Sequence, residues 1–303
     1  MDPYVLPGPS AVQPDEPHFP TRLHDLAVPP SPLWVRGRLP AADGRLVAIV
    51  GSRAATRAAA EKIAAMAVEL AEAGWGVISG GALGIDAAAH RGALRGKGAT
   101  FVVLGCGIDV VYPDRHRRLF DEVISGGGGL LSEYSPGTPP RPGQFPARNR
   151  IVAALARMVI VGESRAGSGA LITARLAATL GRPLLAIPGS SGTDGLLATG
   201  AALPVQSAAD VLDAAGRGDP NTAAIQAPMH GAARMPGQFV PLLRALTEAG
   251  ALAPAVLARR LGLSLAEMLA VLSEAELAGL VVRAAGAKFE ARFKGKFEAA
   301  RGH

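Results

Sequence analysis

Residues 145–156 read FPARNRIVAALA and place two arginines directly ahead of an apolar run. A buried guanidinium is costly unless it meets an anion or a carboxylate, so Arg148 and Arg150 must pair internally or bind a ligand. The preceding proline is typical of a helix start, which puts both arginines beside exposed N–H groups and against the helix dipole. An anionic ligand is therefore the favoured explanation, and pairing with Glu133 or Glu163 is the alternative.

Three glycine-rich turns are further candidates for anion binding. Residues 51–53 read GSR, residues 80–84 read GGALG and residues 167–169 read GSG. A turn that opens a helix offers unpaired N–H groups and the positive end of the helix dipole, and both favour phosphate. Each turn alone is a weak signal, but three of them on one rim would form an anion site with several donors.

Missing motifs argue against two common nucleotide sites. The chain has no G-x-x-x-x-G-K-[ST] segment, the motif of a P-loop ATPase. No G-x-G-x-x-G, the dinucleotide motif of NAD-binding proteins, follows the apolar run 46–50. Cys106 is the only cysteine among 303 residues, so a cysteine-rich zinc site is excluded. Asp86 and His90 lie four residues apart, and we interpret them as a hydrogen-bonded pair that fixes a helix rather than as catalytic groups. We expect no metal and no cofactor.

Short apolar runs alternate with segments of helical periodicity, which is the pattern of a parallel sheet covered on both faces. The predicted fold is a doubly wound α/β domain, whose ligands bind outside the carboxyl ends of the strands. Each glycine-rich turn follows such a run and falls at that edge. The predicted strands are residues 46–50, 76–79, 100–104, 129–132, 158–161 and 184–187.

Composition divides the chain into four parts. Residues 1–18 are rich in proline and predict a disordered arm, and residues 19–214 form the α/β domain. Residues 215–237 lose periodicity and predict a linker. Residues 238–303 contain three amphipathic segments, a β-like run and a basic tail, which predict a small winged-helix domain.

The charge balance and the termini suggest partners and a compartment. The chain has 31 Lys and Arg against 25 Asp and Glu, an excess that suits a polyanionic partner. The single cysteine fits a reducing cytosol, and no apolar stretch approaches the ~18 residues that a membrane span requires. The first residues lack the pattern of a secretory signal. We expect a cytoplasmic protein with no membrane association.

Five segments in order resemble the DNA-processing protein A (DprA) family. They read AIVGSR, ISGGALGIDAAAHRGAL, GCGIDVVYP, LLSEYSPGTPPRPGQFPARNRIVAALA and SGALITARLAATLGRPLLAIPG. The resemblance implies an extended Rossmann-like domain that binds single-stranded DNA, forms a homodimer and helps to load the RecA recombinase in natural transformation.

The resemblance also implies the residues of the DNA site. The Gly-Ser-Arg turn and the Phe-x-x-Arg-Asn-Arg stretch line the DNA pocket in that family, and a Ser-Gly-x-Leu-Ile-Thr stretch adds a glycine. By motif, these positions are Gly51, Ser52, Arg53, Phe145, Arg148, Asn149, Arg150 and Gly169.

The mechanism expected from these residues is electrostatic. Backbone amides and the three arginines would hold successive phosphates of one strand, while Phe145 stacks on a base. Aromatic residues make up 4% of the chain, too few for an extended stacking platform, so phosphate contacts should dominate. Binding should then be salt-sensitive and nearly independent of sequence.

Two alternatives belong to other functional classes. The same superfamily contains phosphoribohydrolase-like nucleotide-processing enzymes, but residues 166–173, AGSGALIT, lack the glutamate of their Pro-Gly-Gly-x-Gly-Thr-x-x-Glu motif. The second alternative is a duplex-DNA regulator that acts through the winged helix. Its predicted recognition helix, residues 264–279, contains three glutamates and no Lys or Arg, so phosphates would repel it.

Overall fold

The structure is a computed structural model, and it describes residues 4–6, 8–41, 44–216, 239–277, 280–284, 286 and 288–291. The chain divides into two compact units, Met1–Gly231 and Ala232–His303, and each is described by itself. Within the described ranges, every helix is too short or too polar to cross a bilayer.

A nine-stranded sheet forms the centre of the described part of the first unit. In order across the sheet, the strands are β1 (Ser10–Val12), β2 (Leu33–Gly37), β6 (Gly129–Ser132), β5 (Thr100–Val103), β4 (Gly76–Ser79), β3 (Leu46–Val50), β7 (Met158–Val161), β8 (Leu184–Ala186) and β9 (Leu203–Pro204). Strands β3 to β9 run parallel, whereas β1 and β2 are antiparallel additions at one edge.

Helices cover both faces of this sheet because successive side chains of each strand point to opposite sides. Val47 and Ile49 pack on one face, with α1 (Arg57–Glu72), α2 (Ile85–Arg95), α3 (Arg117–Ser125) and α7 (Ala208–Gly216). Ala48 and Val50 pack on the other face, with α4 (Gln144–Leu155), α5 (Gly169–Thr179) and α6 (Ser191–Ala198). The prediction of a doubly wound α/β fold is confirmed.

The direction of winding reverses beside β3. The chain adds β4, β5 and β6 on one side of β3 and then returns to place β7, β8 and β9 on the other. Open α/β sheets bind ligands at such a reversal, outside the carboxyl ends of the strands. The loops that follow β3 and β7 therefore flank the expected site.

Part of the predicted disordered arm, residues 1–18, is ordered in the structure. Residues 10–12 form β1, and the Leu6 N–H donates to the Gly37 carbonyl at 3.1 Å. The exposed edge of β2 supplies backbone partners that composition cannot reveal, and the buried side chain of Val12 secures the strand.

The described part of the second unit has three helices and an antiparallel hairpin. The elements are α8 (Val240–Ala249), α9 (Pro254–Leu261), α10 (Leu265–Leu277), β10 (Val281–Ala284) and β11 (Lys288–Ala291). Ser264 and Glu267 form a reciprocal capping box at the start of α10. The predicted winged helix is confirmed, and the basic tail beyond residue 291 lies outside the described residues.

Most of the predicted linker, residues 215–237, lies outside the residues that the structure describes. Residues 215 and 216 are the last two of α7, and residues 217–238 lie outside the described residues.

Close packing of α1 on α2 predicts a large effect of one methyl group. A Cβ at Gly92 would lie 2.4 Å from the Ala64 carbonyl oxygen and 2.7 Å from the Ala67 Cβ. We expect Gly92→Ala to lower the free energy of unfolding by ~1–3 kcal/mol through overpacking. Gly195, also in a helix, has open space around it, so Gly195→Ala should stabilise by ~0.5–1 kcal/mol. Urea denaturation compares the two, and equal midpoints would contradict the packing argument.

Candidate nucleic-acid interface

A pocket of about 450 Å³ lies at the carboxyl ends of β3, β4 and β7, at the point where the winding reverses. The loops after these three strands and the first turns of α4 form its walls. The lining residues are Val50, Gly51, Ser52, Arg53, Ala54, Gly80, Ala82, Asp86, Phe145, Pro146, Arg148, Asn149, Val152, Arg165, Ser168, Gly169, Ala170, Ile172 and Thr173. We call this cavity the switch-point pocket.

Contacts with neighbouring loops fix the turn after β3. The Ser52 N–H donates to the Glu163 carbonyl at 2.6 Å, and the Ser52 hydroxyl accepts from the Ala54 N–H at 3.2 Å. Gly84 has φ 76°, and a Cβ there would lie 2.1 Å from the Ser52 carbonyl oxygen. Only glycine permits this approach, so the loops after β3 and β4 are held together backbone to backbone.

Glu163 is occupied by the start of α1. Its carboxylate accepts from the Thr56 hydroxyl at 2.6 Å and from the Thr56 N–H at 3.1 Å. Thr56 in turn caps α1, because its hydroxyl accepts from the Ala59 N–H. Glu163 therefore braces the loops after β3 and β7 and is not the partner of either arginine in α4.

Arg53 presents an exposed guanidinium at the mouth of the pocket. Its Cζ lies over the ring of Phe145, 5.7 Å from the ring centroid, a cation–π geometry. Among the described residues, no carboxylate comes within 4.0 Å of this guanidinium. Arg53 thus offers a positive charge that internal pairing does not neutralise.

Arg148 lies beneath the pocket and is 4% exposed. Its Nη1 donates to the Gly80 carbonyl at 2.6 Å and to the Val103 carbonyl, at the carboxyl ends of β4 and β5. Burial lowers the pKa of Arg148 to about 10, while the Asp86 carboxylate acts in the opposite direction. The side chain therefore remains charged at neutral pH and joins α4 to two strand ends.

Asp86 is the carboxylate in the lining of the switch-point pocket. Its Oδ2 accepts from the Gly80 and Ala82 N–H groups, each at 3.2 Å, and so holds the loop after β4 in shape. Burial raises the pKa of the Asp86 carboxyl, and the charge of Arg148 opposes that shift.

The predicted Asp86–His90 hydrogen bond is wrong, because each side chain has a different partner. His90 Nδ1 lies 2.8 Å from the Thr100 hydroxyl, which itself donates to the Val77 carbonyl. The hydroxyl must therefore accept from Nδ1–H, and because burial lowers the pKa of His90 to about 3, the buried Nε2 carries no proton at neutral pH. His90 is a neutral core residue.

Arg150 lies outside the switch-point pocket, which corrects the expectation that three arginines share one rim. Its Nη2 pairs with Glu133 Oε2 at 2.5 Å, and its Nη1 donates to the Val28 carbonyl at 3.0 Å. The side chains of Arg150 and Glu133 are 3% and 2% exposed. The alternative considered above, an internal carboxylate partner, is correct for Arg150.

Arg165, on the loop after β7, contributes an exposed guanidinium that the motifs missed. Among the described residues, no carboxylate lies within 4.0 Å of it. Ser190 and Ser191 accept hydrogen bonds from the Ser164 and Ala166 N–H groups at 3.0 and 3.2 Å, so they fix the loop on both sides. The sequence signal that could have identified Arg165 was its position just after a buried parallel strand.

The start of α5 completes the pocket. Ser168 precedes the helix without a side-chain cap, and the Leu171 N–H donates to the Ser168 carbonyl at 3.1 Å. Among the described residues, the N–H groups of Gly169 and Ala170 are therefore the ones left without an intrahelical or capping partner. The Asn149 side-chain amide donates to the Gly169 carbonyl at 3.4 Å, which ties α4 to this helix end.

Seven of the eight predicted residues therefore surround one cavity. The pocket contains Gly51, Ser52, Arg53, Phe145, Arg148, Asn149 and Gly169. The described ranges contain no group of His, Cys, Asp and Glu side chains arranged to hold a metal ion.

The buried imidazole of His90 predicts a loss of stability in acid. Burial lowers the pKa of His90 from 6.5 to about 3. In this window the unfolded chain binds a proton that the folded chain does not, so the free energy of unfolding falls as the pH drops below 6.5. The contribution approaches ~1.4 kcal/mol per pH unit. We expect the free energy of unfolding, measured by urea denaturation at several pH values, to depend less on pH in His90→Gln than in the wild type. An unchanged dependence on pH would contradict this prediction.

The buried Arg150–Glu133 pair predicts a stability effect. Arg150→Ala leaves a buried carboxylate without its cation, so the free energy of unfolding should fall by ~3–5 kcal/mol. The control is Arg57→Ala, which breaks an exposed pair with Glu61 and should cost less than ~1 kcal/mol. Similar losses in the two variants would mean that burial of the pair contributes nothing.

Two family models match the chain. The model described as DNA recombination-mediator protein A matches residues 10–216, and the DprA winged helix domain matches residues 236–287. The DNA processing protein DprA of Streptococcus pneumoniae is 42% identical over 200 residues, 64% of this chain and 70% of that protein. Protein Smf of Synechocystis is 41% identical over 187 residues, 60% of this chain and 47% of that protein. The chain thus spans about half the length of the Synechocystis relative.

Two solved structures share the fold. DNA processing protein A from Helicobacter pylori, described for its single-stranded DNA binding mode, superposes with a TM-score of 0.63 at 32% identity, over 69% of this chain and 96% of that chain. DprA from Streptococcus pneumoniae superposes with a TM-score of 0.62 at 38% identity, over 67% of this chain and 73% of that chain. Because the first family model covers more than half of the chain, from β1 to α7, this chain belongs to the DNA processing protein A (DprA) family.

Proposed function

We propose that this chain binds single-stranded DNA in the switch-point pocket, without sequence specificity, and helps to load the RecA recombinase during natural transformation. It does so as a cytoplasmic homodimer, without a cofactor and without catalysing a reaction.

The observation that carries the proposal is the charge of the pocket. Arg53 and Arg165 line it without carboxylate partners among the described residues, and the amides that open α5 face the same edge. The lining carboxylate, Asp86, is buried and already accepts two backbone hydrogen bonds. The pocket therefore offers several donors to an anion, and phosphate groups suit them.

The size of the cavity favours a single strand over a duplex. About 450 Å³ lies in the range of small-molecule sites, so the pocket admits a nucleotide-sized group but no paired and stacked helix. The ring of Phe145 adds a surface on which any base can stack. Phosphate contacts and stacking do not read base edges, so binding is independent of sequence.

The two arginines and the asparagine of α4 have different roles in the proposed site. Arg148 supports the floor and adds positive potential from below, whereas Asn149 aligns the start of α5. Arg150 stabilises the fold through Glu133 and does not contact DNA.

Two points support the parts played by the dimer and by RecA. The sheet unit matches the family model described as DNA recombination-mediator protein A, and the resemblance of its motifs implies RecA as the partner. A dimer also joins two pockets on one strand and raises affinity through effective concentration.

An enzyme of the phosphoribohydrolase class is disfavoured by the loop after β7. Residues 166–173 contain no carboxylate, and Asp86 is committed to the Gly80 and Ala82 amides. Release of free base from nucleoside monophosphates would favour the enzyme.

A duplex-DNA regulator is disfavoured by α10, which contains three acidic residues and no Lys or Arg. If unlabelled duplex DNA competed for the full chain more effectively than unlabelled single-stranded DNA, the result would favour the regulator.

The exposed guanidinium at the mouth predicts the first test. Arg53→Ala should weaken binding of a labelled oligothymidylate by ~1–3 kcal/mol, since a charge-assisted phosphate contact is lost. Fluorescence anisotropy across a salt series should also show a shallower slope, by ~0.7 in log–log units per phosphate contact.

The matched control is Arg57→Ala, an exposed arginine in the next helix that pairs with Glu61 and lies outside the pocket. It should bind as the wild type does. Equal affinities of the Arg53 variant, the Arg57 variant and the wild type at low salt would overturn the proposed site.

A further inference from the structure

An exposed aromatic side chain lies beside the switch-point pocket and has no part in it. Tyr112 is 45% exposed, on the connection between β5 and α3. Its ring centroid lies 5.2 Å from that of Phe145, with 35° between the ring planes. We call these two rings the aromatic step.

The aromatic step extends a line of side-chain contacts that begins at Arg53 in the pocket. The Arg53 guanidinium lies over the Phe145 ring, and the next contact of that ring is Tyr112. Phe145 is half-buried, and its ring packs against the backbone of Gly105, where a Cβ would lie 2.7 Å from the ring Cδ1. Tyr112 is therefore the ring with the larger open surface.

The backbone before Tyr112 is fixed. The Gly107 N–H donates to the Thr138 carbonyl at 2.9 Å, and Asp109 Oδ1 accepts from the Gly137 N–H at 2.7 Å. These bonds attach the connection to the segment that leads into α4. A base that stacks on Tyr112 therefore meets a ring carried by backbone that is already held in place.

The residues after Tyr112 are anchored as well. His116 is buried, and its Nδ1 lies 2.9 Å from the Gly81 carbonyl, in the loop after β4. Arg115 and Arg117 flank it on the surface, and among the described residues neither has a salt bridge. Asp114 is exposed beside them and offsets part of this charge.

We infer that Tyr112 forms a second base-binding subsite, in which a nucleobase outside the switch-point pocket stacks on the tyrosine ring. The strand then runs from the pocket over Phe145 to Tyr112 and on toward Arg115. This inference rests on the proposed function. Stacking on an aromatic ring accepts every base, so the subsite lengthens the footprint without adding sequence preference.

The test compares Tyr112→Ala with Tyr112→Phe in the full chain. The probe is a labelled oligothymidylate that covers the pocket and the step, together with the same oligomer carrying one abasic position at a time. Tyr112→Ala should weaken binding of the intact oligomer about 5- to 150-fold. Tyr112→Phe keeps the ring and should bind as the wild type does.

The abasic series separates stacking from an indirect effect through Phe145. If Tyr112 stacks a base, one abasic position that weakens binding to the wild type will have no further effect on Tyr112→Ala. Weaker binding with every base-sensitive position retained would overturn the inference, and so would wild-type affinity of Tyr112→Ala.

Failure of the proposed function has a different signature. In that case the wild type itself does not bind the oligothymidylate, or Arg53→Ala binds as tightly as the wild type. Circular dichroism of Tyr112→Ala checks that the variant is folded.

Discussion

A guanidinium removed from water must have acceptors, and the architecture of the site follows from how Arg148 finds them. The carbonyls of Gly80 and Val103, where β4 and β5 end, supply them, and Asp86 lies close enough to act on its pKa. A Cβ at Gly80 would come within 2.4 Å of Arg148 Nη2, so any side chain at this position would displace the guanidinium from its acceptors. One buried cation thus fixes α4, two strand ends and the floor of the pocket.

The central strands could be predicted because residues such as those of β3 and β7 are apolar on both faces, a pattern that few other structures require. The winged helix followed from the spacing of its helices and the capping box at Ser264. The edge strand β1 could not be predicted, since its stability comes from the hydrogen bonds of β2 and not from its own composition.

The arginines of α4 show where a motif is insufficient. Arg148 and Arg150 are two residues apart, and residues so spaced point to opposite sides of a helix, about 200° apart. One therefore turns to the strand ends and the other to Glu133. Helical geometry could have separated them, whereas the choice of Glu133 over Glu163 depends on tertiary structure. Arg165 was missed because it belongs to no motif quoted for the site.

Glu163 ties the loop after β7 to the first residues of α1, and the Ser52 N–H binds the backbone of the same glutamate. Widening the cavity would break both contacts and remove the acceptor from the start of a helix. In the proposed complex with single-stranded DNA, the loss of conformational freedom on association would consequently fall on the flexible polynucleotide rather than on the protein. A DNA strand already stacked on itself would first have to give up that order, so the proposed function favours unstructured segments as occupants.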